Sequence, residues 1–175
     1  MGWAASERNL LDALDVAVHR PSVTLRLDAL AGAVGRKLAD DPGAPLAWET
    51  VPLDWYGREL PGGVRSSWVF VLRANTVTGA ERHPNSHQRM VSYRGHGDFQ
   101  VWRDGRWHSH RLRSDPQGGL EGRWISIPRN VFHQGVVPGK DWAVVSFHTV
   151  PAAQLIEERG DPSKTDVMRR RKYLR

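Results

Sequence analysis

The chain has 175 residues, is 39% hydrophobic and carries a formal charge of +6, long enough for one domain with a real core and short for two. No stretch approaches the roughly 20 consecutive apolar residues of a membrane helix, and no basic region followed by an apolar core opens the sequence, so a cytoplasmic protein is expected. Cysteine is absent, which excludes disulfides, thiolate ligands and a cysteine nucleophile and leaves nitrogen and oxygen as the donors for any metal.

In chain order, SERNLLDALDVAV (6–18) places its leucines and valines near helical spacing, with Ser6 as the expected N-cap. Pro21 follows this helix, and LRLDALAGAVGRKLA (25–39) predicts a second one before the turn-rich DDPGAP. Residues 1–50 are therefore expected to form a helical extension. From Trp55 onward the texture changes to short apolar runs separated by Gly, Pro, Asn and Asp. SSWVFVLR (66–73), QRMVSYRG (88–95), DFQVW (98–102), RWHSHRL (106–112), RWISIP (123–128) and WAVVSFHTV (142–150) all predict strands. Asp104-Gly105 is a hairpin signal. Short antiparallel strands at regular spacing predict a barrel or sandwich over 51–160, ending in a helix-like AAQLIEE. Of the basic excess, Arg169, Arg170, Arg171, Lys172 and Arg175 lie in the last seven positions, leaving +1 for residues 1–168. A mobile, solvated basic tail over 161–175 is expected, with nucleic acid an unlikely partner. Trp55, Trp68, Trp124 and Trp142 are expected in the core, and His96, His108 and His110 on the surface.

One stretch carries chemistry. In ERHPNSHQRMVSYRG (81–95), Glu81 and His83 are two apart, so on a strand they share a face. His133, in PRNVFHQG, follows a strand and a proline-led turn, and antiparallel packing would bring it beside them. Two histidines and one carboxylate are the arrangement that holds non-haem Fe(II) with positions open for substrate and oxygen; Zn(II) accepts the same set.

The polar cluster leading into a strand that ends at Gly95, followed some 40 residues later by Pro-x4-His, resembles the two motifs of the cupin superfamily, a small antiparallel barrel or jelly roll that binds metal on its inner wall. Within it the pattern is most similar to the cysteine dioxygenases. Glu81-Arg-His83-Pro-Asn-Ser-His87-Gln88 with Gly95 keeps their spacing, as does His133 followed by Ser146-Phe-His148-Thr-Val150, and Tyr56-Gly-Arg58-Glu-Leu60 resembles their substrate-gripping Tyr-Thr-Arg-Asn-Leu. Two departures stand out. Glu81 replaces the first ligand histidine, and Gln88 and Val150 replace both halves of the family's cysteine–tyrosine crosslink.

The resemblance implies an all-β cupin core with an N-terminal helical extension and a metal held by Glu81, His83 and His133. It implies further that Arg58 and Tyr56 bind an anionic substrate, with His87 and Gln88 either binding substrate or joining the metal shell, and that His148, held by Ser146, meets bound substrate or oxygen. The activity implied is an Fe(II)-dependent oxygenase consuming O2 and a small anionic or amino-acid-like molecule. Two alternatives stand beside it: a Zn(II) cupin acting as a Lewis acid in cyclisation, isomerisation or N–N bond formation, and a ligand sensor meeting nucleic acid through its basic tail, for which no helix-turn-helix pattern is evident.

Overall fold

The computed structural model describes residues 3–57, 60, 61, 63–164 and 167–174. Two helices, α1 (Ala5–Val18) and α2 (Pro21–Ala39), precede the strands β1 (Leu46–Val51), β2 (Ser66–Leu72), β3 (Thr76–Val77), β4 (Glu81–Arg82), β5 (Gln88–Arg94), β6 (His96–Arg103), β7 (Arg106–His108) and β8 (Arg111–Arg113). A one-turn helix α3 (Leu120–Arg123) leads into β9 (Trp124–Ile127), β10 (His133–Val137), β11 (Trp142–His148), β12 (Ile156–Gly160) and β13 (Val167–Lys172). Among the described residues no helix is long and apolar enough to cross a membrane.

The strands form two antiparallel sheets. One runs β1-β2-β11-β5-β9; the other runs β13-β12-β4-β10-β6-β7, with β3 on β10 and β8 on β6. Between them lies a core that includes Trp68, Phe70, Met90, Phe99, Trp142 and Val144. The opposite face of the first sheet is covered by α1 and α2, whose Leu11, Leu14, Leu27 and Leu38 pack on Val69, Val91, Val145 and Phe147. Strands β2 and β11 are thus buried on both faces along their whole length, which is why SSWVFVL and WAVVSFH read as near-continuous apolar runs. Gly97 lets β6 lie against Trp142: a Cβ built there would sit 2.2 Å from the indole ring.

The predicted strands appear, and Asp104 and Gly105 both take positive φ in the β6–β7 turn, 50° and 72°, as a type I′ hairpin requires. Several expectations are refined or corrected. Helix α1 starts at Ala5 with Ala4 at the cap position and no side-chain cap, so Ser6 is not the N-cap. Pro21 opens α2, its fixed φ suiting the first helical position. Residues 46–51, assigned to the helical extension, form β1 and pair with β2 from Leu46↔Leu72 to Val51↔Ser67. RWHSHRL splits into β7 and β8 because the Asp98 carboxylate captures the Ser109 hydroxyl and the His110 N–H between them, at 2.7 and 2.8 Å. Finally, AAQLIEE becomes a 3₁₀ turn followed by β12, and the basic tail pairs with β12 as β13, setting Arg170 opposite Glu158 and Arg171 opposite Glu157. Charge complementarity across that pair orders a segment that, read alone, looks solvated.

Candidate metal centre

Antiparallel pairing of β10 with β4 places His133 directly opposite Glu81, and His83 follows one residue after β4. One donor atom from each of the three lies within 4.8 Å of the others. Both imidazoles are buried, and each presents Nδ1 to a backbone carbonyl: His83 to Ile156 O at 2.9 Å and His133 to Val131 O at 3.0 Å. A carbonyl only accepts, so Nδ1 carries the proton in each ring and the Nε2 lone pair is left for a ligand. His133 Nε2 is buried with no hydrogen-bond partner among the described residues and lies 3.7 Å from Glu81 Oε1. An orphaned lone pair beside a carboxylate and a second imidazole fits a divalent cation.

The other Glu81 oxygen is held from outside the barrel wall. Arg159, opposite Glu81 in the β12–β4 pairing, donates through Nη2 to Oε2 at 2.8 Å and through Nε to Glu157 Oε1 at 2.8 Å. Arg171 on β13 closes on the same Glu157 oxygen at 2.8 Å. This chain fixes the carboxylate and leaves Oε1 facing His133, the role that hydrogen-bonded partners of metal ligands ordinarily play.

Burial alone pushes the Glu81 carboxyl up, but the nearby rings of His133 and His83 and the Arg159 guanidinium hold it down at about 2. Burial, then His133, lowers His83 to about 4. His148 falls well below the usual histidine value through burial, then His83 and His133. At neutral pH the site therefore offers the Glu81 anion and a neutral His83 ring, the protonation states that metal binding needs.

Acid is expected to weaken the metal-free protein. The unfolded chain protonates His83 near 6.5 and the folded chain only near 4, so the stability tied to His83 is present above pH 6.5 and is lost as pH falls toward 4. Glu81 acts in the same direction at lower pH, its contribution present above 4.5 and lost toward about 2. Thermal unfolding between pH 7.5 and 5 checks this: the melting temperature falls, and His83→Gln makes the fall shallower. An unchanged slope in that variant would contradict the assignment.

His148 enters the barrel from β11, its ring 5.1 Å edge-on from that of His83. Its Nδ1 lies 3.3 Å from the Ser86 hydroxyl and its Nε2 3.4 Å from that of Ser146. Gln88, opposite His148 in the β5–β11 pairing, is buried with Oε1 unpartnered and shares a cavity wall with Glu81 and His133.

The structure separates the remaining candidates from this cluster. His87 sits on the helix side of the first sheet, its Nε2 2.7 Å from Ser126 Oγ, in a group with Glu7 and Arg89; strand alternation sends it away from its neighbour Gln88, so it does not join the metal shell. Tyr56 is likewise buried on the helix side, its hydroxyl 2.9 Å from Ser67 Oγ and its ring against Phe147. Arg58 lies outside the described residues. Of the tryptophans, Trp68 and Trp142 fill the barrel, while Trp124 and the half-buried Trp55 belong to the helix-side core.

Three residues that the sequence reading passed over belong to the site. Glu157 lies in the segment expected to be helical, AAQLIEE, and Arg159 directly follows it. Tyr173, in the expected tail, is buried with its ring 6.2 Å from that of His83. The signal for the first two was the alternation Glu157-Glu158-Arg159 facing Arg169-Arg170-Arg171 across an Asp161-Pro162-Ser163-Lys164 turn, which reads as a charge-paired hairpin. Another depression, of about 790 Å³, is lined by Asp98, Arg111 and Val136 among others, with none of the three candidate ligands on its wall.

No family model matches the sequence, and no curated protein matches it. Solved structures do resemble it. The coconut allergen cocosin superposes with a TM-score of 0.50 at 18% identity, covering 67% of this chain and 29% of that one. A pumpkin seed globulin gives 0.50 at 20% identity over 67% of this chain and 28% of its own. Procruciferin, the 11S globulin of Brassica napus, gives 0.50 at 14% identity over 68% and 29%. The chain thus spans under a third of the length of these globulins. An oxalate oxidase in complex with the substrate analogue glycolate aligns more loosely, with a TM-score of 0.48 at 14% identity over 62% of this chain and 52% of that one. At such identities the likeness shows the fold alone: an antiparallel cupin-type barrel with helices at its N-terminus.

Proposed function

We propose that this cupin-fold chain is a mononuclear metal enzyme, an Fe(II)- and oxygen-dependent oxidoreductase related to the cysteine dioxygenases, acting on a small anionic or amino-acid-like substrate. The observation that carries this reading is the buried, unpartnered Nε2 of His133 facing the carboxylate of Glu81, with His83 beside both.

Glu81, His83 and His133 would hold the ion, and Arg159 keeps Glu81 in place. Bound Fe(II) would supply the capacity to take up and reduce oxygen. Everything else falls to the chain. Strand packing excludes bulk water, since the space beside Glu81 and His133 is about 30 Å³, room for roughly two waters. Arg58 is assigned the substrate's carboxylate, for which a guanidinium offers paired donors. His148, neutral and set between the Ser86 and Ser146 hydroxyls, holds or passes a proton at the cavity wall. The free Oε1 of Gln88 accepts a hydrogen bond from substrate. With Glu81 as an anionic ligand, a dication keeps a net charge of +1, which weakens the pull on a substrate arriving as thiolate plus carboxylate. Free cysteine is therefore not the proposed substrate.

Elemental analysis of protein purified without added metal, followed by oxygen uptake with a panel of small carboxylates and amino acids, tests the proposal. The expected result is about one iron per chain and uptake that depends on one of the panel. Stoichiometric zinc with no uptake by the iron-loaded protein would replace it with the Lewis-acid reading, for which the same ligand set suffices.

A further inference from the structure

Phe70 forms part of the wall of the cavity beside Glu81 and His133, and behind it packs a side chain from a sheet edge. Tyr173 follows β13, the edge strand of its sheet, which pairs only with β12. Its ring is buried between Trp48, Trp68, Phe70 and His83, with centroids 5.3, 5.2, 6.1 and 6.2 Å away. After β13 the backbone is tied down by the hydrogen bond from Tyr173 N to Leu155 O at 3.1 Å. Two further observations concern the same compartment. The space left beside Glu81 and His133, about 30 Å³, is a small fraction of the roughly 300 Å³ or more of a small-molecule pocket. The indole Nε1–H of Trp68, fully buried against the Tyr173 ring, has no hydrogen-bond partner among the described residues, a state that ordinarily costs about 1–3 kcal/mol.

Size, edge position and the orphaned donor agree with one another. We propose that the Tyr173 ring occupies the compartment where the non-reacting part of the substrate binds, and that β13 peels from β12 to vacate it. The ligand that enters is a small molecule with a portion about as large as a phenol ring, to replace the contacts with Trp48 and Phe70, and a hydrogen-bond acceptor for Trp68 Nε1. This rests on the metal reading above and adds to it the substrate's shape and the element that admits it. The same strand carries Arg171, which grips Glu157 beneath Arg159, so opening the compartment also loosens the chain that steadies Glu81.

The chain has no cysteine, so an introduced pair forms the only possible disulfide. Ile156 and Lys172 face each other across β12 and β13, at the Cα separation of neighbouring strands that a disulfide spans. The test uses the Ile156→Cys/Lys172→Cys double variant loaded with Co(II), with the visible spectrum reporting two probes: azide, small enough for the existing space, and benzohydroxamate, which brings a ring. The oxidised protein is expected to bind azide but at least tenfold less benzohydroxamate than the same protein reduced with a phosphine. Tyr173→Ala is expected to bind benzohydroxamate at least tenfold more tightly than the natural chain, and Tyr173→Phe to behave like the natural chain. Equal benzohydroxamate binding by oxidised and reduced double variant overturns the proposal, whatever the Tyr173 variants do. Failure to take up Co(II) in the natural chain is a separate outcome that overturns the metal reading and this inference with it.

Discussion

Glu81→Ala and His133→Ala are each expected to abolish stoichiometric metal binding, and His108→Ala to leave it intact. The expected loss exceeds the roughly 10- to 100-fold that removing a partner of a ligand produces, because the change removes a donor atom and not merely its support. In Glu81→Ala the Arg159 guanidinium also loses one of its two carboxylate partners, so a dication loses a donor atom and meets a positive charge that Glu81 had balanced. In His133→Ala the loss is of a buried lone pair that has no other partner among the described residues. His108 lies half-buried on the β6–β7 hairpin, opposite Val101, outside the three-residue group. Competition titration with a chromophoric chelator measures all three; equal affinity in the three variants would remove the assignment.

Trp142→Ala is expected to destabilise the protein by about 3–5 kcal/mol, the range for deleting a large buried aromatic. That is a large part of the roughly 5–15 kcal/mol that holds an ordinary domain together. The indole is fully buried, donates to Ser92 Oγ at 2.8 Å and lies flat over Gly97. Its removal leaves a void and takes a donor from the Ser92 hydroxyl, which keeps its own bond to Gly95 O at 3.1 Å. The loss also reaches the site, because Phe99 packs against Trp142 at 6.3 Å on one side and stacks on His133 at 5.5 Å on the other. Gly97→Ala attacks the same contact from the opposite direction, since a methyl there meets the ring at 2.2 Å. Denaturant unfolding is the measurement. Trp107→Ala, which breaks only the half-buried pair with Trp102, is the control, with an expected loss of no more than about 1.5 kcal/mol; equal losses from Trp107 and Trp142 would contradict the packing described.

How much of this was legible in the sequence depended on whether an element has one buried face or two. Strand β6 has one, so the alternation of Gly97, Phe99 and Val101 with polar neighbours is visible in the chain. Glu81, His83 and His133 were legible because their chemistry is unusual and their spacing suits a strand pair, and the β4–β10 register sets two of them opposite each other. Strand β5 is buried on both faces, so nothing in QRMVSYR tells which parity faces the barrel. His87 and Gln88 were therefore equally good candidates, and only Gln88 faces the cavity. Tyr56 was misplaced for a related reason, since a tyrosine buried beneath helices and one buried in a barrel leave the same trace in sequence. The Arg159–Glu157–Arg171 chain was missed for another. Its meaning lies in pairing between segments, and a run of arginines read alone resembles a solvated end.

The account rests on two imidazoles and one carboxylate binding a single divalent ion. X-ray absorption of the zinc- or iron-loaded protein tests that most directly. Two histidine ligands are predicted, seen through the outer-shell scattering of their rings, with every first neighbour a light atom at roughly 2.0–2.2 Å for zinc. A metal shell of water and carboxylate oxygens with no imidazole scattering would contradict it.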